Sequence, residues 1–251
     1  MSTRLPVRLL AILALWTAGA GASFAADTQV AVAANFTEPA KEIAAAFAQK
    51  TGHEAILSFG SSGQLYVQIS HGAPFEVFLS ADADRPVQAE KDGLAKRGTR
   101  FTYAVGQLVL FSKTAGLVDG RGAVLKADSF QKLAIAEPAA APYGRAAVQT
   151  MTRLGVYGRL QSKIVKGASI TQAYQFVDTG AAELGFVALS QVINRAGGSR
   201  WIVPAADHAP IEQQAVVLKA GARNPAAAAF AAFLKGPEAR KIIRRYGYLV
   251  R

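Results

Sequence analysis

Val30-Ala31-Val32-Ala33-Ala34-Asn35 leads into residues 38–49, and Leu57-Ser58-Phe59-Gly60-Ser61-Ser62-Gly63 leads into residues 64–71. Each stretch is a β-rich run that stops at small polar residues and continues as a helix. In the first helix Ala40, Ile43, Ala44 and Phe47 fall at i, i+3, i+4 and i+7, one helical face. In the second, Leu65 and Ile69 carry the apolar face. A strand that turns into a helix at Asn or Ser leaves backbone N–H groups pointing outward, a small electropositive cup. Two cups side by side can hold a compact anion without Lys or Arg. Asn35 and Glu38 have the N-cap and N3 spacing of a capping box, with Thr37 as the alternative cap ahead of Pro39.

The alternation continues along the chain. Strands are expected at 28–34, 55–59, 75–80, 108–111, 133–136, 164–165, 184–187 and 215–218, and the pattern changes at 101–107. Helices are expected at 85–92, 145–154, 170–180, 189–195, 225–234 and 238–246. Asn224-Pro225 opens one of them with an N-cap and a proline at N1. About nine strands alternating with helices argue for an α/β fold with mostly parallel sheets. Two lobes accommodate that many strands better than one sheet. Crossing points near 104–107 and 204–212 divide the chain into lobe one, 26–104 plus 212–251, and lobe two, 105–211.

Arg4 and Arg8 precede an apolar run ending at Trp16, then small residues 18–22 and Ser23-Phe24-Ala25. Residues 1–25 therefore read as a cleavable secretory signal peptide, too short for a comfortable membrane span and lacking a stop-transfer flank. This places the mature protein in the periplasm. The chain has no Cys, which excludes disulfides, Cys-ligated zinc, iron–sulfur clusters, thiol catalysis and a lipoprotein anchor. The formal charge is +11, but the basic residues are scattered. Their densest patch, Arg240-Lys241, Arg244-Arg245 and Arg251, reads as a solvated helix face. Export also separates the chain from nucleic acid, so the charge implies a general attraction for anions.

Enzyme signatures do not assemble. His53, His71 and His208 lack metal-ligand spacing. Gln64 stands where G-x-S-x-G needs its last glycine, and Ser129-Phe130-Gln131-Lys132 matches S-x-x-K without the partner motifs. Asp82 and Asp84 follow a strand end and read as caps of the next helix. No catalytic residue, cofactor or directly coordinated metal is expected. Two more turns resemble the first pair: Ala141-Pro142-Tyr143-Gly144-Arg145 and Gly167-Ala168-Ser169-Ile170 each open a helix. With two turns from each lobe, four helix N-termini converge on one cleft.

The runs VAVAANF (30–36), KEIAAAF (41–47), FGSSGQLYVQI (59–69), GAPFEVFLSAD (72–82), APYGRAA (141–147), ELGFVALS (183–190) and FLKGPEARKIIRRYGY (233–248) span the mature chain in order. Together they resemble the periplasmic molybdate-binding proteins of ABC importers. The resemblance implies the type II periplasmic-binding-protein fold, with two α/β lobes of mixed or parallel sheets hinged by two crossovers. It implies a monomer that closes on molybdate or tungstate and hands the oxyanion to a membrane permease. Carried over by position, the ligand turns fall on Asn35 with Ala34, on Ser62 with Ser61, on the Tyr143 backbone N–H and on the Ile170 backbone N–H. Family members often supply a Tyr hydroxyl from the strand that here reads Phe186-Val187-Ala188, so that donor is missing at Ala188.

The chemistry agrees with the resemblance. Molybdate is unprotonated at neutral pH, so each oxygen is an acceptor, suited to a site of N–H and O–H donors alone. Phosphate keeps a proton near neutrality and wants a carboxylate, which the four turns lack. Sulfate has the same donor demand in a smaller ion, so cavity radius must reject it. Another tetrahedral oxyanion such as sulfate, or an anion-sensing domain, stands as the alternative.

Overall fold

The computed structural model describes residues 25–127 and 129–250. The expected signal peptide, apart from Ala25, and Arg251 of the basic patch lie outside them. The strands are β1 (Asp27–Ala33), β2 (Glu54–Gly60), β3 (Val77–Ser80), β4 (Phe101–Gly106), β5 (Leu108–Ser112), β6 (Leu133–Ala136), β7 (Ile164–Gly167), β8 (Leu184–Ala188), β9 (Ser199–Ile202) and β10 (Ile211–Val217). The helices are α1 (Thr37–Thr51), α2 (Ser62–Ser70), α3 (Asp84–Lys91), α4 (Val124–Ala127), α5 (Pro142–Arg153), α6 (Tyr157–Leu160), α7 (Ile170–Asp178), α8 (Leu189–Val192), α9 (Pro225–Leu234) and α10 (Pro237–Arg245).

These form two five-stranded sheets, in the orders β2-β1-β3-β10-β4 and β7-β6-β8-β5-β9. Both follow one plan. The second strand of each sheet pairs in parallel on both sides, β1 with β2 and β3, and β6 with β7 and β8. An antiparallel strand then extends each sheet, β10 in the first and β5 in the second. The sheets are thus mixed. β10 and β5 run antiparallel because each is the first strand after a crossing from the other sheet. The chain leaves the first sheet at Gln107, between β4 and β5, and returns between β9 and β10.

Parallel strands covered on both faces read as continuous apolar runs. Val30 to Ala33 of β1 are buried, as are all residues of β3, β6 and β8. Ala40, Ile43 and Phe47 of α1 pack with Phe230 and Leu234 of α9 and Ile243 of α10 on one side of the first sheet. Leu65 and Ile69 of α2 cover the other side against Phe78 and Val216. A separate core centres on Leu110, Phe111, Ile135, Met151 and Phe186 of the second sheet.

Three local expectations change. The 101–107 stretch and residues 199–202 form strands β4 and β9, each an edge of its sheet. The helix expected at 189–195 is the single turn α8; the chain turns at 193–194 and then runs into Gly197 and Gly198 at φ 75° and 77°, a conformation no right-handed helix continues through. The capping box at Asn35 does not form. Residues 34–36 make a 3-10 turn, α1 starts at Thr37, and the Asn35 side chain bonds elsewhere.

Candidate functional site

All four turns meet at one small cavity between the sheets. Ala33, Ala34, Asn35, Ser61, Ser62, Ala81, Ala141, Pro142, Tyr143 and Ile170 line it, around a cavity volume of about 10 Å³. All six residues singled out from the sequence are therefore brought together, and none of the lining residues carries a charge. The first two turns follow β1 and β2 of the first sheet, and the last two open α5 and α7 beside the second.

Local sequence explains each turn. Ser61 is the N-cap of α2: its Oγ accepts from the Gln64 N–H at 3.4 Å and donates to Gln64 Oε1 at 2.9 Å. Its hydroxyl is thereby committed to the helix. Ser62 differs. Its Oγ accepts the Ala81 backbone N–H at 2.9 Å, which fixes the oxygen and leaves the hydroxyl proton to be donated. Pro142 sits at N1 of α5 without an N–H of its own, so Tyr143 supplies the first free amide there. Ser169 caps α7, its Oγ accepting from Gln172 N–H at 3.3 Å, which puts Ile170 at N1. First-turn N–H groups have no intrahelical acceptor. Asn35, Ser62, Tyr143 and Ile170 each occupy such a position.

The carboxylate next to the cavity-lining Ala81 is held in ion pairs. Asp82 follows Ala81 and is 7% exposed. Its Oδ1 accepts the Arg85 N–H of the first turn of α3 at 3.2 Å, although the N-cap position falls on Ala83 and the other expected cap, Asp84, is the first residue of the helix. Asp82 also pairs with the Arg85 guanidinium and, at 3.1 Å, with Arg145 of α5. Arg145 reaches Asp84 at 3.3 Å as well. The two Arg145 ion pairs join the two halves of the molecule. So do the Gly63 N–H to Ala140 O bond at 2.9 Å and the Arg85 guanidinium to Ala139 O bond at 3.1 Å. The lobes are closed on the cavity.

Behind the cavity lies a buried polar cluster that sequence reading missed: Tyr103, Ser190, Gln213 and Tyr248, gathered around Asn35 and Tyr143. Asn35 Nδ2 donates to Gln213 Oε1 at 2.8 Å and to the Tyr248 hydroxyl at 2.9 Å. Burial pushes the Tyr248 hydroxyl up to about 12. Burial, then the neighbouring Tyr248 and Tyr103, holds Tyr143 well above the usual tyrosine range. All are neutral donors at physiological pH. The Tyr143 hydroxyl lies against Gly106, where a Cβ would come within 2.1 Å of it, so glycine at the crossover makes room for that ring. No local pattern marks Ser190, Gln213 or Tyr248, because they are assembled from three distant segments.

At Ala188 the buried backbone N–H donates to Gln191 Oε1 at 2.9 Å, and no hydroxyl stands at that position. Among the described residues no group of three or more His, Asp or Glu could hold a metal ion, and no helix is long and apolar enough to cross a membrane.

The model of the bacterial extracellular solute-binding proteins matches residues 28–249. The chain belongs to that family. This solute-binding protein is 58% identical to the molybdate-binding protein ModA of Rhodobacter capsulatus over 225 residues, covering 90% of this chain and 89% of that protein. It is 56% identical to ModA of Azotobacter vinelandii over 230 residues, covering 90% and 91% respectively. The solved Azotobacter vinelandii periplasmic molybdate-binding protein superposes with a TM-score of 0.87 at 44% identity, covering 89% of this chain and 99% of that one. The two-lobe periplasmic-binding-protein fold is thereby shown, and these relatives are binding proteins rather than enzymes.

Proposed function

We propose that this solute-binding protein captures molybdate, and tungstate with it, in the interlobe cavity and delivers it to the permease of an ABC importer in the periplasm. The observation that carries the reading is the composition of the cavity. Four first-turn amides and the Ser62 hydroxyl, whose proton is free to donate, belong to residues lining a small space with no charged side chain. Donors without acceptors suit an ion whose oxygens all accept, and charge-assisted hydrogen bonds are the stronger kind. The relatives' names support the choice of ion and do not favour sulfate or a sensing domain.

In this reading the anion is held by the backbone N–H groups of Asn35, Ser62, Tyr143 and Ile170 and by the Ser62 hydroxyl. Ala34 and Ser61 shape the wall. Asn35 acts through its backbone, since both protons of its side-chain amide are already donated to Gln213 and Tyr248. The lobes comprise 26–104 plus 212–251 and 105–211, residues 1–25 are a cleaved signal peptide, and the mature protein acts as a monomer. Binding draws the lobes together and shifts the open–closed equilibrium toward the form that docks on the permease. Isothermal titration of the mature protein with molybdate, tungstate, sulfate and phosphate tests this. Tight binding of the first two alone is expected, and preference for sulfate or phosphate would refute it.

A further inference from the structure

The Asn35 carbonyl is an unusual acceptor. It receives the Ser190 Oγ proton at 2.8 Å and the Tyr248 hydroxyl proton at 2.7 Å. A carbonyl has two lone pairs, so both are filled. Tyr248 follows α10 on the same side as Asn35, while Ser190 belongs to α8, which follows β8 of the second sheet. Only the Ser190 bond crosses between the halves. The side-chain amide of Asn35 is fixed at the same time. Gln213 Nε2 donates to Ile211 O at 3.2 Å, which turns its Oε1 toward Asn35 and settles which end of the Asn35 amide is the nitrogen.

We infer that Ser190 is a positioning residue for the anion: on lobe closure it bonds the Asn35 carbonyl and locks the turn whose N–H faces the cavity. It never touches the ligand. The turn at Asn35 is a single 3-10 turn with no side-chain bond at its N-cap; at its far end the Thr37 N–H and, at 2.8 Å, the Thr37 Oγ1 both bond Ala34 O, which leaves the Asn35 carbonyl to be oriented by the partners it meets from elsewhere. Thr171 of α7 adds a second contact from the far side, its Oγ1 reaching Ala34 O at 3.4 Å. Gln191, next to Ser190, holds the fourth turn by donating to Ile170 O at 3.3 Å. The single turn α8 thus braces two anion-binding turns at once, one in each half of the molecule.

The inference rests on the anion-binding reading above and is tested with molybdate as probe. The Ser190→Ala protein should bind molybdate about three- to tenfold more weakly, the range for one neutral buried hydrogen bond. The loss should appear mainly as a faster off-rate, since the bond exists only in the closed form. The unliganded melting temperature should stay unchanged, and the Asn35 carbonyl ¹³C shift of the liganded protein should move. Ser190→Thr, which keeps the hydroxyl, should recover most of the affinity. Wild-type-like affinity in Ser190→Ala would overturn the role of Ser190 and leave the anion reading standing. So would a weakened affinity with an unmoved Asn35 carbonyl signal and an equal fall in unliganded stability. Wild-type protein that ignores molybdate would remove both.

Discussion

Replacing Ser62 by alanine separates two jobs that one oxygen performs. Ser62 is 1% exposed; its Oγ accepts the Ala81 N–H at 2.9 Å, and its proton is the one side-chain donor assigned to the anion. A hydrogen bond to a charged partner contributes about 1.5–3 kcal/mol. Losing it should weaken molybdate binding roughly ten- to 150-fold. The same substitution strands a buried backbone N–H, at a cost of about 1–3 kcal/mol. For a protein of this size that lowers the unliganded melting temperature by roughly 2–12 °C. Isothermal titration reads the first effect and thermal unfolding without ligand reads the second. Ser61→Ala is the comparison. It loses an N-cap worth about 1 kcal/mol and should lower the melting temperature with little change in affinity beyond that. A Ser62→Ala protein that melts lower but binds molybdate as wild type would show that the hydroxyl does not face the ligand.

Ser62→Asp puts a carboxylate among donors committed to a dianion and should abolish binding, whereas Ser129→Ala, in the isolated S-x-x-K match, should leave titration and melting curves unchanged. A Cβ at Gly63 would meet Ala140 O across the cleft at 2.9 Å, so Gly63→Ala should oppose closure and weaken binding without lowering unliganded stability. A Cβ at Gly144 would come within 2.1 Å of Ala136 O inside its own lobe, so Gly144→Ala should instead cost stability, roughly 1–3 kcal/mol of overpacking, visible in the same melt. The Tyr248 hydroxyl, pushed up to about 12 from 10.0 by burial, stays protonated in the folded protein after it ionises in the unfolded chain. Its contribution is therefore complete below pH 10 and is lost between about pH 10 and 12, roughly 3 kcal/mol in all. Tyr248→Phe should flatten the alkaline limb of a stability–pH curve, and an unchanged limb would count against that burial.

The residue pattern alone determined the α/β alternation, the two-lobe division of strands and the four turns, because each is a local matter. Apolar spacing sets which face of α1 or α2 is buried, and Asn, Ser and Pro at a strand end dictate where a helix can begin. The cap roles of Ser61 and Ser169 emerge only in the structure, since the sequence placed both simply within turns that open helices. What a side chain does once the chain has closed on itself was not legible. Asn35 looked like the start of a capping box, yet distant Gln213 and Tyr248 take its amide, and Ser190 from the other sheet takes a lone pair of its carbonyl. Ser61 and Ser62 were both placed in the ligand turn, and only the approach of the residue after β3, bringing the Ala81 N–H, gives Ser62 its bond and leaves Ser61 to its helix. Hydrogen bonds are short and directional, so partners that meet through three-dimensional packing leave no periodic trace in the order of residues.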